Sequence, residues 1–299
     1  MKIAVVGSLN MDLTVTAPRI PLKGETILGH ELQYHPGGKG ANQAFAIARL
    51  GTDVTMFGCV GKDAFGNQLV DNLKSTGAET KWIKQIDQAK TGIALITVGE
   101  HDNTIVVVPG ANSYVDINYI NTVKDELLQA SLVMMQLEIP SPTVQYVCQI
   151  CHEANVPVML NPAPAILLDQ DLINQVSYLT PNEHEAQIIF NDTSALEDLL
   201  RRHPEKLVVT RGAQGAIVAD NTGHIINVPA IDAVVVDTTG AGDTFNGALA
   251  VALTEGQNMS KALQFANTAA GLSVSKLGAQ SGMPTRAEVE ELLKTRSDP

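Results

Sequence analysis

No stretch of the chain approaches the roughly 18 uninterrupted apolar residues that a membrane-spanning helix needs. The opening segment, MKIAVVGSLNMD, has one lysine and an apolar run too short for the core of a secretion signal. A cytosolic protein is expected. Cysteine is scarce: Cys59, Cys148 and Cys151 are too few, and odd in number, for a disulfide framework. CQICH (148–152) does match the spacing of covalent haem attachment, and Cys-x-x-Cys alone can carry redox or metal chemistry. Yet Val144, Val147, Cys148 and Cys151 fall at i, i+3, i+4 and i+7, the buried stripe of an amphipathic helix, so these read as core thiols. Positive charge is also short, with 20 Lys and Arg against 32 Asp and Glu and a net charge of −12. Such a surface repels phosphate backbones and anionic membranes, so neither nucleic acid nor membrane is an expected partner. An acidic protein that handles a phosphorylated ligand needs local devices: backbone N–H groups, helix N-termini or a bound cation.

Two common nucleotide loops are missing. No Gly-x-x-x-x-Gly-Lys followed by Ser or Thr occurs, and VVGSLNMD offers one glycine where Gly-x-Gly-x-x-Gly would follow the first strand. What is present is a 299-residue chain, 44% hydrophobic and 17% charged, of ordinary globular composition. Runs rich in Val and Ile (KIAVVG, VTMFGCV, LVMMQL, VPVML, SYLTP, KLVVTR) read as strands. Helical patterns such as ANQAFAIARLG, AFGNQLVDNLKSTG and EHEAQIIF lie between them. The alternation predicts an α/β fold with a mainly parallel sheet covered on both faces. Residues 11–36 and 91–110 break it with short strands and no helix: either a small projecting sheet or an edge hairpin of the main sheet. With no internal repeat and no linker rich in Pro, Gly and Ser, residues 1–299 read as one domain with a β appendage.

In DTTGAGDTFNGALAVAL, Phe245, Ala248, Leu249, Ala252 and Leu253 give a helical stripe, so a buried helix begins near residue 241. Gly240, Ala241 and Gly242 carry almost no side chain, and a ligand can approach the unpaired N–H groups of the first turn, where the helix dipole favours an anion. Asp243 in that turn is ordinary helix-start chemistry on its own. Beside an anion hole it also suits phosphoryl transfer: the carboxylate takes a hydroxyl proton while the N–H groups hold charge on phosphate oxygens. A second cluster, YHPGGKGANQA (34–44), opens another helix. Gly37, Gly38 and Gly40 allow close backbone approach, Lys39 sits where the dipole disfavours a cation and so calls for an anionic partner, and Asn42 can bond a polyol or the backbone. Asn10 and Asp12 follow the first strand and Glu138 follows SLVMMQL, at the strand ends where open α/β sheets bind ligands. Together these donors and acceptors suit a sugar.

These motifs, with NMD after the first strand and PNEHE (181–185), occur in the order and rough spacing of the ribokinase family of carbohydrate kinases, which the whole chain resembles. GGKGANQA looks closer to members acting on ribose than to those acting on fructose, phosphorylated sugars or nucleosides. The resemblance implies a Rossmann-like sheet with a β lid and ATP-dependent phosphorylation of the 5-hydroxyl of ribose. It makes Asp243 the base and Gly240, Ala241 and Gly242 the anion hole. Asn10, Asp12, Gly38, Lys39, Asn42 and Glu138 contact the sugar; Asn182 lies near the nucleotide phosphates; Glu185 helps place Mg²⁺ through water. Thr210, Arg211, Gly212, Ala213, Gln214 and Gly215 line the nucleotide with Gly242, and Asn267 closes over adenine. It also implies a monovalent cation, K⁺, beside Asp237 and the backbones of Thr239, Ser273, Lys276 and Gly278. One departure stands out: the family pattern Gly-Ala-Gln-Pro-Ser before the final proline is GAQSGMP here, placing Gly282 in the serine slot. A homodimer with packed lids is implied as well. Two alternatives remain at this stage: a kinase of the same family acting on deoxyribose or another small sugar, and a non-catalytic sugar or nucleotide sensor.

Overall fold

The structure, a computed structural model, describes residues 1–100 and 102–297. Its strands are β1 (Lys2–Val6), β2 (Asn10–Thr16), β3 (Glu31–Gly37), β4 (Asp53–Gly61), β5 (Ile83–Ile86), β6 (Gly92–Gly99), β7 (Asp102–Val108), β8 (Leu132–Met135), β9 (Val158–Leu160), β10 (Tyr178–Leu179), β11 (Val208–Thr210), β12 (Ala216–Ala219) and β13 (Ile225–Val228). Its helices are α1 (Lys39–Arg49), α2 (Ala64–Ser75), α3 (Ile117–Leu127), α4 (Ser141–Glu153), α5 (Gln170–Gln175), α6 (Glu183–Phe190), α7 (Leu196–Arg202), α8 (Ala241–Thr254), α9 (Met259–Ser273) and α10 (Arg286–Ser297).

Six strands pair in parallel in the order β10-β9-β8-β1-β4-β5. Both faces are buried, which is why these strands read as continuous apolar runs rather than as alternating ones. In β1, Ile3 and Val5 enter one core while Ala4 and Val6 enter the other; in β8, Leu132 and Met134 part from Val133 and Met135 in the same way. Helices α1, α8 and α9 cover the first core, and α3 and α4 cover the second. Cys148 and Cys151 are fully buried there among Val144 and Val147. Burial pushes the Cys151 thiol up to about 12 and raises that of Cys148 too, so both behave as small apolar side chains. An antiparallel sheet, β11-β12-β13, joins the β10 edge through the Leu179–Leu207 and Asn182–Thr210 bridges.

The two helix-poor regions form a separate four-stranded sheet, in the order β3-β2-β6-β7, and not an edge hairpin of the main sheet. The break falls at Gly7, whose N–H still bonds the Phe57 carbonyl of β4, after which the chain leaves the main sheet and restarts as β2. Parallel β2 and β6 are flanked by antiparallel β3 and β7. His101, within the range 91–110, lies outside the described residues. Every residue of β7 is exposed, leaving Ile105, Val106, Val107 and Val108 uncovered.

Close helix packing positions the site. A Cβ added at Gly247 of α8 would lie 2.9 Å from the Ala46 Cβ and 3.2 Å from the Gln43 carbonyl oxygen, so α1 and α8 meet nearly backbone to backbone. Gly40 is as constrained, with an added Cβ 2.6 Å from the Ser8 N and 2.7 Å from the Gly7 Cα. These two contacts seat the start of α1 on the end of β1 and its middle on the second turn of α8.

Candidate functional site

Helix α8 begins at Ala241 behind Gly240, whose φ of 76° is the left-handed conformation glycine adopts at least cost. Of the first three helical N–H groups, that of Ala241 is taken by the Thr238 carbonyl at 3.2 Å. Those of Gly242 and Asp243 meet no acceptor among the described residues. The expected hole is therefore narrower than the run Gly240–Gly242 suggests: the tight turn at Gly240 folds the Thr238 carbonyl back onto one donor. A Cβ added at Gly242 would meet nothing within 4 Å, so open space lies in front of the donors.

The Asp243 carboxylate is buried, with 7% exposure, and both its oxygens accept from side-chain amides. Asn42 Nδ2 donates to Oδ2 at 2.9 Å and Gln43 Nε2 to Oδ1 at 3.1 Å. Asn42 in turn accepts from Gln280 Nε2 at 2.8 Å, and Gln280 from Asn72 at 2.6 Å. Its residue type left Asn42 between a polyol and the backbone, and the family resemblance assigned it to the sugar; in the structure its amide bonds the candidate base. Sequence reasoning did not single out Gln43, Gln280 or Asn72.

Asn10, Lys39 and Glu138 line a cavity of about 450 Å³ together with Asn112. Asn10 and Asp12 belong to β2, where a spacing of two puts them on one face. Glu138 follows β8, and its Oε2 accepts from Ser8 Oγ at 2.5 Å, from the Lys39 N–H at 3.1 Å and from Asn10 Nδ2 at 3.5 Å. Asn112, which sequence reasoning missed, holds Asn10 by donating to its Oδ1 at 2.7 Å. Gly38, with φ 88°, lies against the backbone of Leu9 and Asn10, so the glycine turn and the start of β2 are locked together. Asp12 is raised from 3.8 to about 7, first by burial and then by the charges of Glu138 and Asp243. Burial works to lower the Lys39 ammonium, but the charges of Asp243, Glu138 and Glu185 outweigh it and hold it above its ordinary value. These are the partners its dipole-disfavoured position called for.

A second cavity, of about 410 Å³, runs from Gly242 to Thr210, Gly212, Ala213, Gly215 and Asn267. The segment 230–235 and the α9 residues Ala270 and Gly271 complete it and were not anticipated. Arg211 and Gln214 are not among its lining residues; Arg211 instead donates to Asn227 Oδ1 at 2.8 Å. Asn267 donates to the Val228 and Pro229 carbonyls at 2.8 and 3.2 Å, pinning the chain that leaves β13. Asn182 and Glu185 form a capping box at the start of α6, each side chain accepting at 2.8 Å from the other's N–H. The Asn182–Thr210 bridge brings that box to the cavity. A larger surface depression, about 620 Å³ beside α4 and α5, holds none of these residues.

Asp237 ties together the segments that carry Thr239 and Gly278. Its Oδ1 accepts from Thr239 N at 2.9 Å and Oγ1 at 2.6 Å, and its Oδ2 from Gly278 N at 2.8 Å. Burial works to raise this carboxyl, and the bonds from Thr239 and Gly278 overcome it, leaving it below its ordinary value. At Gly282 an added Cβ would overlap the Ser273 carbonyl oxygen, so this backbone has no room for the serine of the family pattern, and Gly282 has only main-chain atoms to offer. Among the described residues, no three His, Cys, Asp or Glu side chains are grouped to hold a metal ion, and no helix is long and apolar enough to cross a membrane.

Residues 1–286 match the pfkB family carbohydrate kinases. The chain is 48% identical to a ribokinase of Bacillus subtilis over 97% of its own length and 99% of that protein's. Among solved structures it is similar to a ribokinase of Thermotoga maritima (34% identity, TM-score 0.89, covering 98% of this chain and 99% of that one). It is also similar to an Arabidopsis thaliana ribokinase complexed with ribose and ATP (32% identity, TM-score 0.88, covering 98% of both chains). With 286 of its residues matched by that family and nearly its full length shared with these ribokinases, the chain belongs to the pfkB family of carbohydrate kinases.

Proposed function

We propose that the protein transfers the γ-phosphoryl group of ATP to the 5-hydroxyl of D-ribose, giving ribose 5-phosphate and ADP. The observation that carries this is the placement of Asp243: buried, held at both oxygens, next in the chain to Gly242 of the second cavity, and near enough to Asp12 and Lys39 for its charge to act on both. Asn10, Asp12, Lys39 and Glu138 bind the sugar, with acceptors and donors fixed before it arrives. Asp243 takes the hydroxyl proton as the sugar oxygen bonds to the γ-phosphorus and the bond to the β–γ bridging oxygen breaks. The N–H groups of Gly242 and Asp243 meet charge on the transferred phosphoryl oxygens, and Lys39 offsets charge between the carboxylates. ATP occupies the cavity from Gly242 to Asn267, its phosphates toward Asn182.

The donor set fits the two cations implied by the family. Glu185 is the one carboxylate near the phosphate end and would help to hold Mg²⁺ there, which would supply neutralisation of phosphate charge. K⁺ suits Asp237 with the carbonyls of Thr239, Ser273, Lys276 and Gly278, a set of hard oxygen donors to which Gly282 adds no side chain. The exposed apolar strand β7 supports a homodimer through the lid sheet, which light scattering tests. The activity itself is tested by ribose-dependent ADP formation in Asp243→Asn, where kcat should fall about 10²- to 10⁴-fold with ATP binding retained. Unchanged turnover overturns the mechanism. A greater kcat/KM for deoxyribose than for ribose overturns the substrate.

A further inference from the structure

Gln43 has no place among the residues expected to touch sugar or nucleotide, yet it is fully buried and bonds the candidate base directly. A carboxylate only accepts hydrogen bonds, so the Gln43 amide must turn its nitrogen toward Asp243 and its oxygen away. The structure holds that orientation from behind. Gln136, also fully buried, donates from Nε2 to Gln43 Oε1 at 2.6 Å, and the second proton of Gln43 Nε2 meets Asn161 Oδ1 at 3.2 Å. Asn161 is anchored in turn through its Nδ2 to the Thr180 carbonyl at 3.1 Å. The donors and acceptor of the Gln43 amide are thus all used, in one arrangement, by three different elements of the fold.

Burying this many amides costs stability that an apolar core would not give up, and the residues flanking Gln43 on this face of α1 are indeed Gly40, Ala46 and Ile47, all buried. We propose that Gln43 is a positioning residue for phosphoryl transfer: locked by Gln136 and Asn161, it fixes the rotamer of the Asp243 carboxylate so that a free lone pair faces the attacking hydroxyl. Asn42 holds the other oxygen but is also a residue that the family resemblance assigns to the sugar, so Gln43 isolates the positioning role. This inference rests on the reading of Asp243 as the base.

The test is steady-state kinetics of Gln43→Leu, with sugar and nucleotide binding measured separately by calorimetry. A misaimed base costs rate rather than binding, so kcat should fall at least about 10-fold while both dissociation constants stay within about twofold. In an Asp243→Asn background the same substitution should cost nothing further, because Gln43 acts only through the carboxylate. Should Gln43→Leu not fold, Gln136→Met, which leaves the Gln43–Asp243 contact in place but frees the amide to turn, should lower kcat with the same unchanged binding. Unaltered kcat in the folded variant, or an equal loss in the Asp243→Asn background, overturns the inference while leaving the base intact. Full activity of Asp243→Asn itself overturns the reading beneath it.

Discussion

Replacing Asp12 with asparagine should make the unliganded protein more stable and the enzyme worse. The Asp12 carboxylate on β2 has no hydrogen-bond partner among the described residues, and burial, Glu138 and Asp243 raise it from 3.8 to about 7. Because its folded value lies above its unfolded one, the folded state holds a proton between about pH 4 and 7 that the unfolded chain releases. Stability therefore falls as pH rises through that window and is level above it. Three units at about 1.36 kcal/mol each give a ceiling of about 4 kcal/mol. Water reaches part of the side chain and screens it, so about half of that is the working figure. Asp12→Asn removes the ionisation and so recovers this cost in full at pH 8 and less than half of it at pH 4.5. Denaturant unfolding of both proteins at the two pH values, without sugar or nucleotide, measures the difference. Meanwhile the KM for sugar should rise about 10- to 100-fold, since hydroxyl donors lose a charged acceptor worth about 1.5–3 kcal/mol. A stability gap that is the same at both pH values, or that favours the wild type at pH 8, would refute the electrostatic account.

Gly242→Ala separates folding from phosphate approach. The added methyl meets no protein atom within 4 Å and improves helix propensity by up to about 1 kcal/mol, so the melting temperature should hold or rise. Turnover should nevertheless fall by about 10²-fold, because the methyl fills the space before the two open N–H groups; a variant melting as before with full activity refutes that use of the turn. Asp237→Ala releases both the Thr239 and Gly278 N–H groups. Its activity in K⁺ should drop to that of the wild type in a K⁺-free, tetramethylammonium-balanced buffer, and persisting K⁺ stimulation would place the cation elsewhere.

How much of this was legible in the sequence depended on how local each signal was. The buried strands declared themselves as apolar runs and α8 by its stripe, since both periodicities are properties of a few adjacent residues. Asp243 and its glycines stood out for the same reason, and the motif order carried the family. The glycine run alone did not reveal that the Thr238 carbonyl would occupy the Ala241 donor, because that depends on the φ of Gly240. The amide network was out of reach in another way. Gln43 meets Asp243 across 200 residues, Asn161 across 118 and Gln136 across 93. No spacing rule links them until the order of β8, β9 and β1 and the crossing of α1 with α8 are known. A signal was nevertheless present: Gln136 interrupts the apolar run of β8 at its end, and Gln43 shares its helix with a buried alanine stripe. A polar letter where the pattern demands burial asks for a buried partner, and the glycines lining the same contacts say how near that partner must come. An added Cβ at Gly7 would overlap Gln136 Oε1, just as one at Gly247 would press on the α1 backbone. The small residues around this site therefore serve two ends: Gly242 leaves open the space before the N–H groups proposed to meet phosphate, while Gly7, Gly40 and Gly247 draw together the elements whose amides hold Asp243.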